Sequence, residues 1–253
     1  MMFNLTGKVA LITGGNGGIG LGMARGLAKA GANIVVAARN AEKSASAVQE
    51  LQTLGVQATF ISADVTSEDS VNALLQQAVQ QFGRLDILVN NAGVTVRKPP
   101  QELTLDEWRY VMDTNLTGAF LCARAAHPHL KAAGGGKIIN LGSMMSLFGA
   151  KYAAAYGASK GGIVQLTKAQ AVAWAEDNIQ VNVILPGWVD TDLTRQARAE
   201  IPGLNEKALT RSPVGRWGAI DDFAGIAVFL ASPASDFITG AAIPVDGGYS
   251  AVG

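Results

Sequence analysis

The sequence predicts a single α/β domain built on a doubly wound, mostly parallel seven-stranded sheet, and three observations carry that prediction. Short β-branched runs alternate with longer helical patterns from end to end, the rhythm of βαβ units. A chain of 253 residues that is 49% hydrophobic has enough apolar side chain for one sizeable core. No low-complexity linker, charge block or internal repeat marks a boundary, so residues 1–253 are expected to form one unit.

The elements follow in order. Lys8–Thr13 reads as a buried first strand, followed by a helix over Gly18–Ala30. Asn33–Ala38 is the second strand and Ala41–Leu54 an amphipathic helix; Gln57–Ser62 and Glu68–Phe82 repeat the pair. Asp86–Val89 is the fourth strand, and Leu105–Leu130 carries one or two helices. Lys137–Leu141, a long helix over Ala154–Glu176 and Gln180–Leu185 continue the alternation. A late helix over Asp221–Leu230 and a short strand at Ala242–Val245 close it. Asp190–Gly215 breaks the rhythm with charge, Pro202, Gly203 and Pro213, and predicts a small helical lid over the carboxyl edge of the sheet.

Charge excludes some partners. Lysine plus arginine equals aspartate plus glutamate at 20 each, so no global field draws the chain to nucleic acid or an anionic membrane. No apolar stretch approaches the roughly 20 residues that span a bilayer. The first apolar run, Val9–Ile12, leads into a glycine loop rather than a cleavage site, so a cytoplasmic protein is expected. The one cysteine, Cys122, follows Phe120 and Leu121 and is expected to be a buried, inert thiol.

Thr13-Gly14-Gly15-Asn16-Gly17-Gly18-Ile19-Gly20 joins the first strand to the first helix. Glycines there let the backbone turn tightly and approach a pyrophosphate, while the helix N-terminus offers free N–H groups and positive dipole. Position, rather than glycine content, makes this a nucleotide loop of Rossmann type: a plain strand-to-helix turn does not need five glycines in this stretch. An acidic residue at the end of the second strand would hold ribose hydroxyls. Here that place reads Ala37-Ala38-Arg39-Asn40. A guanidinium can pair with a 2′-phosphate and stack on adenine, so NADP(H) is expected over NAD(H). The bland alternative leaves Arg39 a solvated residue at a helix entry.

Tyr156 and Lys160 lie four apart, hence on one helix face. A tyrosine can protonate a carbonyl or deprotonate an alcohol, but its free pKa is near 10. A neighbouring ammonium and a cationic nicotinamide favour the phenolate. Ser143 follows the fifth strand, at the sheet edge where ligands bind, and could hold the substrate oxygen. On its own a tyrosine–lysine pair at this spacing is usually surface decoration. The glycine loop and the strand-end serine give it a context.

With these motifs in order, the chain resembles the short-chain dehydrogenase/reductase family over almost its whole length. Thr13–Gly20 matches the family's glycine signature, Asp64 with Val65 its adenine-edge aspartate, and Asn90–Gly93 its Asn-Asn-Ala-Gly signature. Asn115, Ser143, Tyr156 and Lys160 match its catalytic set, and Pro186-Gly187 with Val189 and Thr191 the segment that closes over nicotinamide. The resemblance implies cofactor contacts from Gly14, Asn16, Gly17, Gly18, Ile19, Gly20, Arg39, Asn40, Asp64, Val65, Asn91, Ala92, Gly93, Pro186, Gly187, Val189 and Thr191. It also implies that Tyr156 is the general acid/base and that Lys160 binds the nicotinamide ribose and depresses the phenol. Ser143 would polarise the substrate oxygen, and Asn115 would hold a water between Lys160 and solvent. One departure stands out: many NADP-dependent members carry a basic residue where this chain has Gly17, which leaves Arg39 alone to select the phosphate.

The partner expected is a small alcohol or carbonyl substrate, with a sugar acid or polyol as the leading reading. Members that act on sugar acids, the gluconate and deoxygluconate dehydrogenases, are similar after the Asn-Ala-Gly segment, where Arg97 and Lys98 could meet a carboxylate. Arg97, Met145, Tyr152 and Trp188 are the candidate substrate contacts. Apolar neighbours such as Met144, Leu147 and Phe148 suit a hydrophobic or cyclic ketone instead, which makes a broad carbonyl reductase the competing reading. A noncatalytic nucleotide-binding regulator is the third. No metal is expected, because His127 and His129 flank Pro128 without carboxylates arranged as ligands. Related chains suggest a homotetramer through the helices at 105–130 and 154–176 together with the C-terminal segment, and Ala169, Ala171, Ala173 and Ala175 would permit close packing.

Overall fold

The computed structural model describes residues 2–252, so Met1 and Gly253, the ends of the expected domain, lie outside the described residues. Seven strands form one sheet: β1 (Val9–Thr13), β2 (Asn33–Ala38), β3 (Ala58–Ser62), β4 (Ile87–Asn90), β5 (Gly136–Leu141), β6 (Ile179–Pro186) and β7 (Ala242–Val245). Their order is β3-β2-β1-β4-β5-β6-β7, and every pairing is parallel rather than mostly so. The helices are α1 (Gly18–Lys29), α2 (Ala41–Gln52), α3 (Glu68–Phe82), α4 (Leu105–Met112), α5 (Gly118–Ala132), α6 (Ala154–Trp174), α7 (Asp192–Glu200), α8 (Leu204–Thr210) and α9 (Ala224–Ala231).

Parallel strands need crossovers, and the crossovers cover both faces of the sheet. β1 shows the consequence in consecutive residues. Ala10 and Ile12 pack with Met23 and Leu27 of α1 and with Leu230 of α9 on one face. Val9 and Leu11 pack with Leu74 and Leu75 of α3 and with Leu121 and Cys122 of α5 on the other. Side chains alternate across a strand, so two separate apolar layers follow from one apolar run. The chain reverses its direction of growth between β1 and β4, which opens a crevice at their carboxyl ends.

Three expectations are refined. Asp86 lies just before β4 and is buried; it accepts from Val9 N at 3.0 Å, from Lys8 Nζ at 3.0 Å and from Arg84 Nε at 2.8 Å. Those donors hold its carboxyl below the ordinary range although burial pushes the other way. The helical span after β4 divides at a π-turn, Asp113–Thr117. The expected alanine face of α6 divides too: Ala171 is buried under the sheet while Ala169, Ala173 and Ala175 face out, because a spacing of two does not keep to one side of a helix.

Candidate active site

The crevice holds a cavity of about 340 Å³ over the glycine loop and a second of about 350 Å³ toward β2. Both are lined by Gly14, Asn16, Lys43, Ala92 and Gly93, so they form one continuous trough. Gly17, Gly18, Ile19, Asn91, Pro186, Gly187, Val189 and Thr191 line the first part; Arg39, Asn40, Asp64 and Val65 line the second. Gly20 lines neither and has a packing role. A Cβ there would lie 2.4 Å from Asn91 Nδ2 and 2.6 Å from the Gly14 carbonyl oxygen, distances no side chain tolerates. Gly14 itself adopts φ +64°, the left-handed region that favours glycine.

The loop is braced from β4. Asn91 Nδ2 donates to the carbonyls of Thr13 and Gly14 at 2.9 and 3.1 Å, and Thr13 Oγ1 accepts from the amides of Asn91 and Ala92 at 3.0 and 3.1 Å. Asn16 Nδ2 donates to Ser44 Oγ at 3.0 Å, which fastens the loop to α2. On the far side, Asp64 Oδ1 accepts from the amide and hydroxyl of Thr66 at 2.9 and 2.8 Å, and these hydrogen bonds hold its carboxyl below the ordinary range.

Ser143, Tyr156 and Lys160 meet on the wall of the 340 Å³ cavity. Ser143 ends the turn after β5, and its Oγ accepts from Met145 N at 3.1 Å. Tyr156 and Lys160 sit in the first two turns of α6, with the Lys160 Nζ 5.7 Å from the centre of the Tyr156 ring. Lys160 is buried and donates to the Leu141 carbonyl at 2.6 Å; burial lowers its pKa to about 8. Burial also pushes the Tyr156 phenol above its ordinary value, against a hydrogen bond from Ser143 and the charge of Arg97. That direction belongs to the chain's own groups, whereas the lowered phenol expected from the motif also draws on a cationic nicotinamide. Desolvation outweighs the nearby dipoles and charges, and Lys160 is itself weakened as a cation.

Asn115 lies in the π-turn, where one extra residue re-aims the side chain toward the loop after β4. Its Oδ1 accepts from Val94 N at 2.8 Å; its Nδ2 donates to Val94 O at 2.9 Å and to Ser159 Oγ at 3.0 Å. Both amide protons are thus engaged, which leaves one lone pair of Oδ1 for a water.

The substrate candidates are less tightly grouped. Arg97, Met145 and Tyr152 do not line the main cavity, and Trp188 lines a neighbouring one of about 150 Å³. Arg97 donates to Glu200 Oε2 at 3.1 Å and to the Leu193 carbonyl at 2.9 Å, both on α7. Lys98 pairs with Glu107, the residue that closes the capping box of α4 with Thr104. The two cations therefore separate: Arg97 reaches the lid and influences Tyr156, whereas Lys98 belongs to a helix end. Sequence reasoning missed Lys43, Asp192, Leu193 and Thr194, all of which line the main cavity. None sits in a motif: α7, folded across the crevice, brings Asp192, Leu193 and Thr194 there, and Lys43 reaches in from the first turn of α2.

His127 lies inside α5, and its Nε2 is 2.8 Å from the Asp177 carboxylate. Among the described residues no group of three or more potential ligands gathers around a metal position. Cys122 is buried as expected, its thiol pushed up to about 12 by desolvation.

Known proteins with this arrangement are numerous. The family described as enoyl-(acyl carrier protein) reductase matches residues 14–250. The 2-dehydro-3-deoxy-D-gluconate 5-dehydrogenase of Escherichia coli is 43% identical over 98% of both chains. The cis-4-hydroxycyclohexanecarboxylate dehydrogenase of Sinomonas cyclohexanicum is 40% identical over 97% of both. A crystal structure of a gluconate 5-dehydrogenase from Burkholderia cenocepacia, in complex with NADP and tartrate, superposes with a TM-score of 0.94 at 41% identity, covering 100% of this chain and 98% of that one. Likeness of this extent, together with the ordered motifs on one trough, establishes that the chain belongs to the short-chain dehydrogenase/reductase family of oxidoreductases.

Proposed function

We propose that this chain is an NADP(H)-preferring oxidoreductase that interconverts a secondary alcohol and a ketone on a sugar acid or related hydroxy acid. The observation that carries this reading is the meeting of Ser143, Tyr156 and Lys160 on the wall of the cavity that the glycine loop floors. The trough suits a dinucleotide: it is continuous past the loop, and it offers Arg39 rather than a carboxylate at the β2 end. When bound, the nicotinamide supplies or accepts the hydride.

Tyr156 donates the proton to the carbonyl oxygen in reduction and removes it from the alcohol in oxidation. Ser143 donates a hydrogen bond to the same oxygen and fixes it in line with the phenol. Lys160 holds the nicotinamide ribose and adds positive charge behind the phenolate. Asn115 keeps Gly93 and Val94 beside Lys160, and its free lone pair can order a water on the way to solvent. Arg97 is the cation for a substrate carboxylate, exchanging Glu200 for it. Met145, Tyr152 and Trp188 supply apolar flanks.

The E. coli and Sinomonas relatives are both named for acids that carry a hydroxyl or keto group, and the Burkholderia structure holds NADP with tartrate. That supports the hydroxy-acid class and the phosphorylated cofactor here. The competing reading, a broad carbonyl reductase, draws on the apolar cluster of Met144, Met145 and Phe148 beside Ser143. Initial rates with both cofactors on gluconate, 5-ketogluconate, 2-deoxygluconate, glucose, a cyclic ketone and an aryl ketone separate the two. Acids ahead by tenfold in kcat/KM support the proposal; apolar ketones ahead overturn it.

We propose also that the protein works in the cytoplasm as a homotetramer, without nucleic-acid or membrane partners. Phe120 on α5 and Val172 on α6 are exposed, the latter at 82%, on the helices expected at the interface. Among the described residues no helix is long and apolar enough to cross a membrane. Sedimentation equilibrium tests the tetramer.

A further inference from the structure

Lys43 enters the trough from the first turn of α2 and lines both of its halves. Its Cα is well fixed. Asn40 Oδ1 accepts from Lys43 N at 2.8 Å to cap the helix, and the next residue, Ser44, is fully buried and holds Asn16 of the glycine loop. From there the side chain runs over Gly17. A Cβ built on Gly17 would lie 2.7 Å from Lys43 Cε and 2.8 Å from its Nζ, so the ammonium sits where a side chain at position 17 would project. The basic group missing from the glycine signature thus has a counterpart in space, delivered from α2.

That ammonium donates to Asp192 Oδ2 at 2.8 Å, in the first turn of α7. Both partners are largely exposed, at 47% and 73%, so the pair by itself contributes little to stability. An ammonium has three donors, and Asp192 takes one. Lys43 also lines the trough half that the exposed Arg39 lines, so two donors remain for a ligand there. Two cations four positions apart across one strand–helix junction, with no carboxylate at the end of β2, suit a dianion between them.

We propose that Lys43 is the second cation, with Arg39, for the phosphate on the adenosine ribose of NADP(H), and that through Asp192 it ties that phosphate to the lid helix α7. The inference rests on the NADP(H) reading above. It adds a residue that selects the cofactor and a route by which the phosphate steadies the substrate side.

Calorimetric titration with 2′-AMP and 5′-AMP tests it without any turnover, alongside fluorescence titration with NADP(H) and NAD(H). Lys43→Ala is expected to weaken 2′-AMP and NADPH by at least tenfold while 5′-AMP and NADH change by less than twofold; Lys43→Arg should retain most of the preference. Equal losses for both members of each pair, or an unchanged 2′-AMP affinity, overturn the proposal. A wild-type protein that does not distinguish 2′-AMP from 5′-AMP defeats the NADP(H) reading itself. A wild-type preference that survives in Lys43→Ala defeats only the role of Lys43. For the tether, Asp192→Asn should keep 2′-AMP affinity within threefold and raise the substrate KM at saturating NADP(H) at least threefold; an unchanged KM overturns that part.

Discussion

Lys160 donates to the carbonyl oxygen of Leu141 at 2.6 Å, joining the second turn of α6 to the last residue of β5. The bond crosses the floor of the site, because Ser143 follows Leu141 by two residues and Tyr156 precedes Lys160 by four. Ser146 Oγ adds a second tie, donating to the Lys160 carbonyl at 2.7 Å. Ser143, Tyr156 and Lys160 are thus tied together at one joint between β5 and α6.

Tyr156→Phe removes the phenol hydroxyl and leaves the ring. Turnover should fall at least a hundredfold, within the range for losing a general acid/base, roughly 10²–10⁴. Cofactor affinity, read by fluorescence titration, should change less than threefold. Unchanged turnover would remove Tyr156 from the chemistry and favour the noncatalytic reading.

Lys160 carries a stability signature with a definite sign. Its folded pKa of about 8 lies below its ordinary 10.5, so the unfolded chain binds more proton between those values. Stability contributed at this site is therefore absent below pH 8 and rises as pH climbs toward 10.5. Urea midpoints for the protein and Lys160→Met, compared at pH 7 and 9.5, should move in the wild type's favour by about 2 kcal/mol. A difference that stays flat across that interval would mean the ammonium is not desolvated.

Arg39→Ala should weaken NADP(H) by at least tenfold and NAD(H) by less than twofold, since Arg39 lines only the β2 half of the trough. Equal loss of both would assign the guanidinium to adenine stacking alone.

Arg97→Leu breaks its bonds to Glu200 and the Leu193 carbonyl. For hydroxy acids KM should rise at least tenfold, about 1.4 kcal/mol, while a neutral ketone is affected less than threefold. A parallel rise for both substrate types would make Arg97 a strut of the lid and nothing more.

Gly20→Ala puts a methyl against Asn91 and the Gly14 carbonyl. Overpacking of this kind costs about 1–3 kcal/mol, and a lower urea midpoint with weakened binding of both cofactors is the expected result. Full stability would show that the loop can shift without cost.

Much of this protein was legible from residues adjacent in the chain. Strand alternation, the glycine loop, the strand-end Ser143 and the Tyr156–Lys160 helix face depend on local periodicity and on backbone contacts within one βα unit, which a linear pattern records. Even the lid, marked by Pro202 and Gly203, appears as α7 and α8 where the rhythm broke. The tertiary structure decided which long side chains find each other. Lys43 meets Asp192 across 149 positions, and Arg97 meets Glu200 across 103. Lys98, one residue from Arg97, turns instead to Glu107. A flexible cation has no fixed direction in sequence; its partner is whichever carboxylate the packing of distant helices brings within reach. Burial is likewise collective, so the raised phenol of Tyr156 and the weakened ammonium of Lys160 come from everything packed around them rather than from their spacing of four.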